Sequence, residues 1–238
     1  MNKLGTVRPA GLLFLATCLL SGCEQLSKLD HQRSLPATAK VVVVFLDRSG
    51  STASDRDLYR QAVSKILTKM HAGDRLVISP ITATSSADFV ASLDREFPEP
   101  LPTMDILFDN ELEYEERAKR KKEEIRAFLT ELRQHVDSVL DGESKSPRTA
   151  IIESLRIAAQ VFAAEDKRKG VLVLMSDMIE ESDFGDFDRL SVNDSFTTKE
   201  IERQRAARVL PDLSRVKIYV VGAHAKSPDR AAAIEHFW

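Results

Sequence analysis

Three separated parts of the 238-residue chain carry oxygen-bearing side chains in positions suited to holding a hard cation. Asp47, Ser49 and Ser51 alternate directly after the apolar run Val41–Leu46. Thr149 precedes the apolar-periodic segment Ile151 to Phe162, and Asp177 follows the apolar run Gly170–Met175. Carboxylate and hydroxyl oxygens suit Mg²⁺, Mn²⁺ or Ca²⁺ rather than Zn²⁺. No His falls in a cluster with ligand spacing, and the only cysteines, Cys18 and Cys23, lie near the N-terminus. The same residues also read as capping chemistry, because Asp and Ser at a strand end and Thr at a helix start satisfy free backbone N–H groups.

These groups meet only if the elements carrying them converge. Val41–Leu46 is a β-branched run that reads as a strand buried on both faces, as in a parallel sheet. Asp55 to Met70 has helical apolar spacing, Arg75–Ser79 reads as a second strand, and Phe89–Leu93 as a third. The short link between those two strands requires the third to be antiparallel. Residues 111–140 read as one long helix. Glu113–Arg117, Glu115–Lys119 and Glu116–Arg120 have the i,i+4 order that supports it, and its charges read as a solvated face. Ser146-Pro147 carries a helix start signal. Gly170–Met175 and Val216–Val221 read as further strands, with helices over Lys199–Leu210 and from Ala231 to Trp238. The acidic run Glu180, Glu181, Asp183, Asp186, Asp188 reads as a solvated loop, although Phe184, Phe187 and Phe196 require the segment to pack somewhere. The fold class is therefore α/β: a mostly parallel, Rossmann-like sheet with one antiparallel edge strand and helices on both faces. In such sheets ligands bind beyond the carboxyl ends of the strands, where Asp47 and Asp177 fall.

Asp47-x-Ser49-x-Ser51 after an apolar strand, Thr149 before a central helix and Asp177 after the fourth strand together resemble the von Willebrand factor A family, over about residues 40–225. The resemblance implies a metal ion-dependent adhesion site. Ser49, Ser51 and Thr149 would approach the cation, while Asp47 and Asp177 would act directly or through water. A carboxylate of a protein partner would complete the coordination. The sequence departs from the family at Ser176-Asp177-Met178, where Thr-Asp-Gly is common, and at Pro147-Arg148, where Gly-Gly is common. The stretch 98–145 is longer than in a minimal domain of this type and reads as a charged helical insertion.

The N-terminus reads as a targeting segment. Lys3 and Arg8 precede an apolar stretch, Gly11–Leu20, too short to span a bilayer as a helix. Leu20-Ser21-Gly22-Cys23 is similar to the lipobox of bacterial lipoproteins. That resemblance implies a signal peptide over 1–22, lipid on Cys23, a tether over 23–38 and a domain over 39–238. It also implies an envelope location, with Glu24 favouring the periplasmic face of the outer membrane. The domain beyond Cys23 has no thiol and must be stable through its core alone. A formal charge of −3 gives no electrostatic footprint for nucleic acid. The expected function is a lipid-anchored binding module and not an enzyme. A metal-free scaffold and a metal-dependent phosphohydrolase are the alternative readings; the latter wants a second acid where Ser49 stands.

Overall fold

The computed structural model describes residues 38–82, 89–101, 103–105, 110–142, 148–165, 167–190 and 192–238. Its centre is β1 (Lys40–Leu46), in which every residue after Lys40 is buried. Strand alternation sends Val42, Val44 and Leu46 into one apolar cluster and Val41, Val43 and Phe45 into another. A strand loaded on both faces needs layers on both sides, and the chain supplies them.

β2 (Arg75–Pro80), β3 (Leu93–Glu96), β4 (Lys169–Met175) and β7 (Val216–Val221) complete the sheet in the order β3-β2-β1-β4-β7. All pairings are parallel except β2 with β3. The expected mostly parallel α/β sheet with an antiparallel edge strand is thus what the chain forms. On one face lie α1 (Arg56–Thr68), through Tyr59, Val63 and Leu67, and α2 (Glu111–Asp141), through Leu132, Val136 and Leu140. On the other lie α3 (Ile151–Ala163), through Ile151, Ile157 and Ala158, and α5 (Pro228–Phe237), through Ile234. α4 (Asp194–Ala206) and a small hairpin of β5 (Glu181–Ser182) and β6 (Gly185–Asp186) follow β4.

Several boundaries differ from the sequence expectation. The third strand is antiparallel as expected but occupies Leu93–Glu96 rather than Phe89–Leu93. Arg75 fixes that register: it bonds both carboxylate oxygens of Asp94 at 2.8 and 2.5 Å and Glu165 at 2.6 Å. Leu93 and Phe97 then bury, and Phe89 packs on Phe45 with ring centroids 6.4 Å apart. α4 starts at Asp194 rather than Lys199, because the Asn193 side chain accepts from the Phe196 N–H at 3.0 Å. Of the three helix pairs expected on α2, Glu116–Arg120 forms, at 3.7 Å on the surface. Ser146 and Pro147 lie outside the described residues. α3 opens at Ile151, with Ala150 in the cap position and no cap bond from its side chain.

Gly222 ends β7 with φ +89°, in the left-handed region. A Cβ there would stand 2.9 Å from Cε1 and 3.0 Å from the hydroxyl of the fully buried Tyr59. Gly222→Ala combines a strained backbone with overpacking of the core. We expect it to lower the unfolding free energy by about 2–4 kcal/mol, read from urea denaturation midpoints.

Candidate functional site

The carboxyl end of the β1–β4 pair carries Asp47, Ser49, Ser51 and Asp177. The strand pairing continues one step past β1, where the Asp47 N–H donates to the Met175 carbonyl at 2.8 Å. Asp47 is buried. Its Oδ1 accepts from the Ser49 N–H at 2.8 Å, and its Oδ2 accepts from the Ser176 hydroxyl at 2.7 Å. Burial pushes the Asp47 carboxyl up; these bonds pull it back, and the nearby Asp177 charge adds to the rise.

Beyond Asp47 the chain makes a 3-10 turn over Gly50–Asp55. Ser49 Oγ lies 3.0 Å from Ser51 Oγ and 3.5 Å from Thr52 Oγ1. Thr52 is buried, and its hydroxyl donates to the carbonyls of Asp47 and Ser49 at 3.1 Å each. It locks the loop that presents the two serines. Sequence reasoning missed it: Arg48 and Gly50 share its offset from the alternating pattern without being buried, so the pattern does not single it out.

Asp177 follows β4 and is 1% exposed. Its Oδ1 accepts from the Ile179 N–H at 3.0 Å, while its Oδ2 is buried with no hydrogen-bond partner among the described residues. Met178 has φ +66°, a left-handed conformation that costs a side-chain-bearing residue roughly 1–2 kcal/mol. The Ser176 hydroxyl accepts from the Met178 N–H at 3.0 Å and helps hold this turn. From beneath, α1 supplies Tyr59. Burial, with the charges of Asp47, Asp55 and Asp177, pushes its phenol well above the ordinary range.

Thr149 is buried just before α3, and its carbonyl accepts from the Glu181 N–H at 2.9 Å. The connection is reinforced by Glu180, which sequence reasoning placed in a solvated acidic loop. Glu180 is instead completely buried. Its Oε2 accepts from the N–H groups of Ile151 and Ile152 at 2.7 and 3.1 Å, and Oε1 accepts from the Ser182 hydroxyl. A carboxylate is a favourable cap at the positive end of a helix. Here it comes from 29 residues away and stitches the segment after β4 to the segment bearing Thr149. Burial lifts the Glu180 carboxyl to about 7. The other acids of the run do reach solvent: Asp183 pairs with Arg148, and Asp188 pairs with Lys226 at 2.5 Å. Phe187 fills a cluster with Phe184, Phe196, Phe237 and Trp238, which is where the aromatic segment packs.

Asp47, Ser49 and Ser51 therefore share one locked loop. Asp177 lies across the β1–β4 pair, and the backbone of Thr149 is tied to Glu181, four residues on from Asp177. Among the described residues no three of His, Cys, Asp and Glu cluster as metal ligands. A cation at this edge would depend on hydroxyls arranged around two carboxylates. The donor set fits one: its oxygens are hard, and one is a desolvated carboxylate oxygen without a proton donor.

Cys23 lies outside the described residues, as does the whole segment read as signal peptide. No protein-family model and no curated protein sequence matches the chain. Solved structures with a similar layout include an aerotolerance-related membrane protein from Bacteroides fragilis, at 13% identity and a TM-score of 0.39, matching 77% of this chain and 67% of that one. The pilus adhesin SpaC from Lactobacillus rhamnosus GG is similar at 11% identity and a TM-score of 0.46, over 86% of this chain but 27% of its own. A von Willebrand factor type A protein from Catenulispora acidiphila is similar at 13% identity and a TM-score of 0.37, over 84% of this chain and 41% of its own. At these scores the likeness is one of general α/β layout and says nothing of ligand or partner.

Proposed function

We propose that the chain is a binding module that takes a divalent cation at the carboxyl edge of its sheet and grips a carboxylate of a partner protein through it. The observation that carries this reading is the Asp177 Oδ2 oxygen, buried beside a second buried carboxylate and without a hydrogen bond. An oxygen in that state costs roughly 1–3 kcal/mol or more when charged, and a bound cation removes the cost. Asp47, Ser49, Ser51, Thr149 and Asp177 would hold Mg²⁺, Mn²⁺ or Ca²⁺. The cation would supply positive charge at a position open to solvent through the exposed Ser51. Asp47 orients the loop through the Ser49 N–H and the Ser176 hydroxyl. With both oxygens so occupied, Asp47 is a poor nucleophile, and we expect no phosphoester turnover. Thermal unfolding with and without divalent cation tests the reading.

Anchoring is the second part of the proposal. Among the described residues no helix is long and apolar enough to cross a membrane. Lipid on Cys23 would hold the domain at the envelope by a tether over 24–38. Each buried acyl CH₂ contributes about 0.8 kcal/mol, so two or three chains make attachment stable. In a bacterial host, Cys23→Ser is expected to abolish labelling by a clickable palmitate analogue and to move the protein out of the membrane pellet. Retention of both label and pelleting would refute the lipid attachment.

A further inference from the structure

We propose that β7 takes an added strand: an extended, acid-flanked segment of a partner protein that pairs with its open edge and sets alternate apolar side chains into the groove beside it. Three observations converge there. First, β7 is an end strand, bonded only to β4 among the described residues. Second, Ile218, Tyr219 and Val220 are 47%, 55% and 44% exposed, so apolar side chains stand bare on both faces of the strand. Natural edge strands are usually blunted by charge, proline or a bulge. Here Lys217 is the strand's only charged residue.

Third, a groove of about 600 Å³ runs between α1 and β7, floored by Ile66, Val171, Val173 and Val221 with Tyr219 at its side. Six cations line it, Lys40, Lys65, Lys69, Lys169, Arg215 and Lys217, and no carboxylate does. Lys40 is engaged by the Lys69 carbonyl at 2.6 Å and Asp74 at 3.3 Å; the other five have no ion pair among the described residues. In a chain of net charge −3, this local excess of positive charge is only partly offset, by Asp74 beside Lys40 and by Asp212 near Arg215.

An open backbone edge demands hydrogen bonds, a period-two apolar surface demands an extended partner, and the cations demand acid. Strand addition by an acidic segment meets all three, with main-chain bonds supplying affinity and the groove supplying specificity. A second copy of this chain fits poorly, because its own β7 would bring Arg215 and Lys217 against the same cations. A bilayer fits poorly too, since hydrocarbon leaves the open backbone edge unsatisfied. The groove runs along β4 and β7 as far as Val221 but includes none of Asp47, Ser49, Ser51, Thr149 and Asp177, so the two proposals rest on different residues and are tested separately.

The test uses the full chain in detergent and a synthetic peptide, acetyl-Asp-Glu-Val-Thr-Val-Thr-Val-Glu-Asp-amide, with a counterpart flanked by lysines. Hydrogen exchange over residues 216–221 is expected to slow at least tenfold with the acidic peptide and not with the basic one. K65E/K69E/K217E is expected to weaken binding at least tenfold and to reverse the preference. EDTA should leave both results unchanged. Equal protection by both peptides, or by neither, overturns the proposal. So does protection that grows with protein concentration alone, which identifies a second copy. Protection by phosphatidylglycerol vesicles but not by peptide assigns the face to a membrane and also overturns it.

Discussion

Addition of Mg²⁺ or Mn²⁺ to the metal-stripped chain is expected to raise its thermal midpoint by roughly 5–10 °C. A ligand that binds only the folded state stabilises it by about 2.7 kcal/mol at a free concentration of 100 Kd. For a domain of this size each kcal/mol moves the midpoint by about 2–4 °C. The variant that decides the matter is Asp177→Asn. Without cation it removes one of two buried like charges that raise each other's cost, so it should melt above the wild type. With cation it has lost a ligand, so the upward shift should vanish. Asp47→Ala should behave differently, because it strands the Ser49 N–H and the Ser176 hydroxyl. It is expected to destabilise the fold at every cation concentration by roughly 1–3 kcal/mol, and to show no cation response. A wild-type midpoint indifferent to every divalent cation and to EDTA, together with an Asp177→Asn midpoint no higher than the wild type, leaves the cation proposal without support.

Glu180→Ala should be the most damaging single substitution near the site. It leaves the N–H groups of Ile151 and Ile152 without their shared acceptor and opens a void where a fully buried side chain stood. The expected loss is roughly 3–5 kcal/mol, from two desolvated donors and a cavity. Glu180→Gln keeps an acceptor for the helix and a group for Ser182, and should cost far less. It also isolates the pH dependence. The carboxyl titrates near 7 in the folded chain and near 4.5 when unfolded. Between those values the folded state holds a proton that the unfolded state has lost, so stability falls as pH rises. The full contribution is present below about 4.5 and is gone above 7, a change of about 3 kcal/mol. Urea midpoints measured from pH 5 to pH 8 should therefore decline for the wild type more steeply than for Glu180→Gln. Parallel curves would mean that Glu180 does not titrate in this range.

The central layer was plain in the sequence because one physical signal dominates it. A run such as Val41–Leu46, with no polar alternation, has no stable place except between two layers, and its neighbours in the sheet read the same way. The motif serines and Asp47 were legible for a related reason: they occupy the first positions after such a strand, where the backbone must leave the sheet. Elements fixed by long-range polar contacts were not legible. Nothing local distinguishes Glu180 from Glu181, yet the first is buried under α3 and the second is exposed. The register of β3 depends on Arg75 reaching both Asp94 and Glu165, a pairing that no short window of sequence contains. Asn193 carries a local signal: an Asn followed by an acid opens α4 five residues before the expected start.

α2 buries only its C-terminal third. The helix has 31 residues, about 46 Å at 1.5 Å per residue, yet its buried residues begin only at Leu132. Its first 17 residues, roughly 25 Å, contain none. Tyr114, Ala118, Lys121 and Ile125 are half-buried along one face, and the pairs Glu116–Arg120 and Lys121–Glu124 add support on the surface, so the arm leans on the core less than the rest of α2 does. Such pairs weaken in salt, and an unsupported helix of this length is marginal in water. The helicity of the arm is therefore expected to fall as salt rises while the sheet stays intact, read from helical circular dichroism at low and high ionic strength.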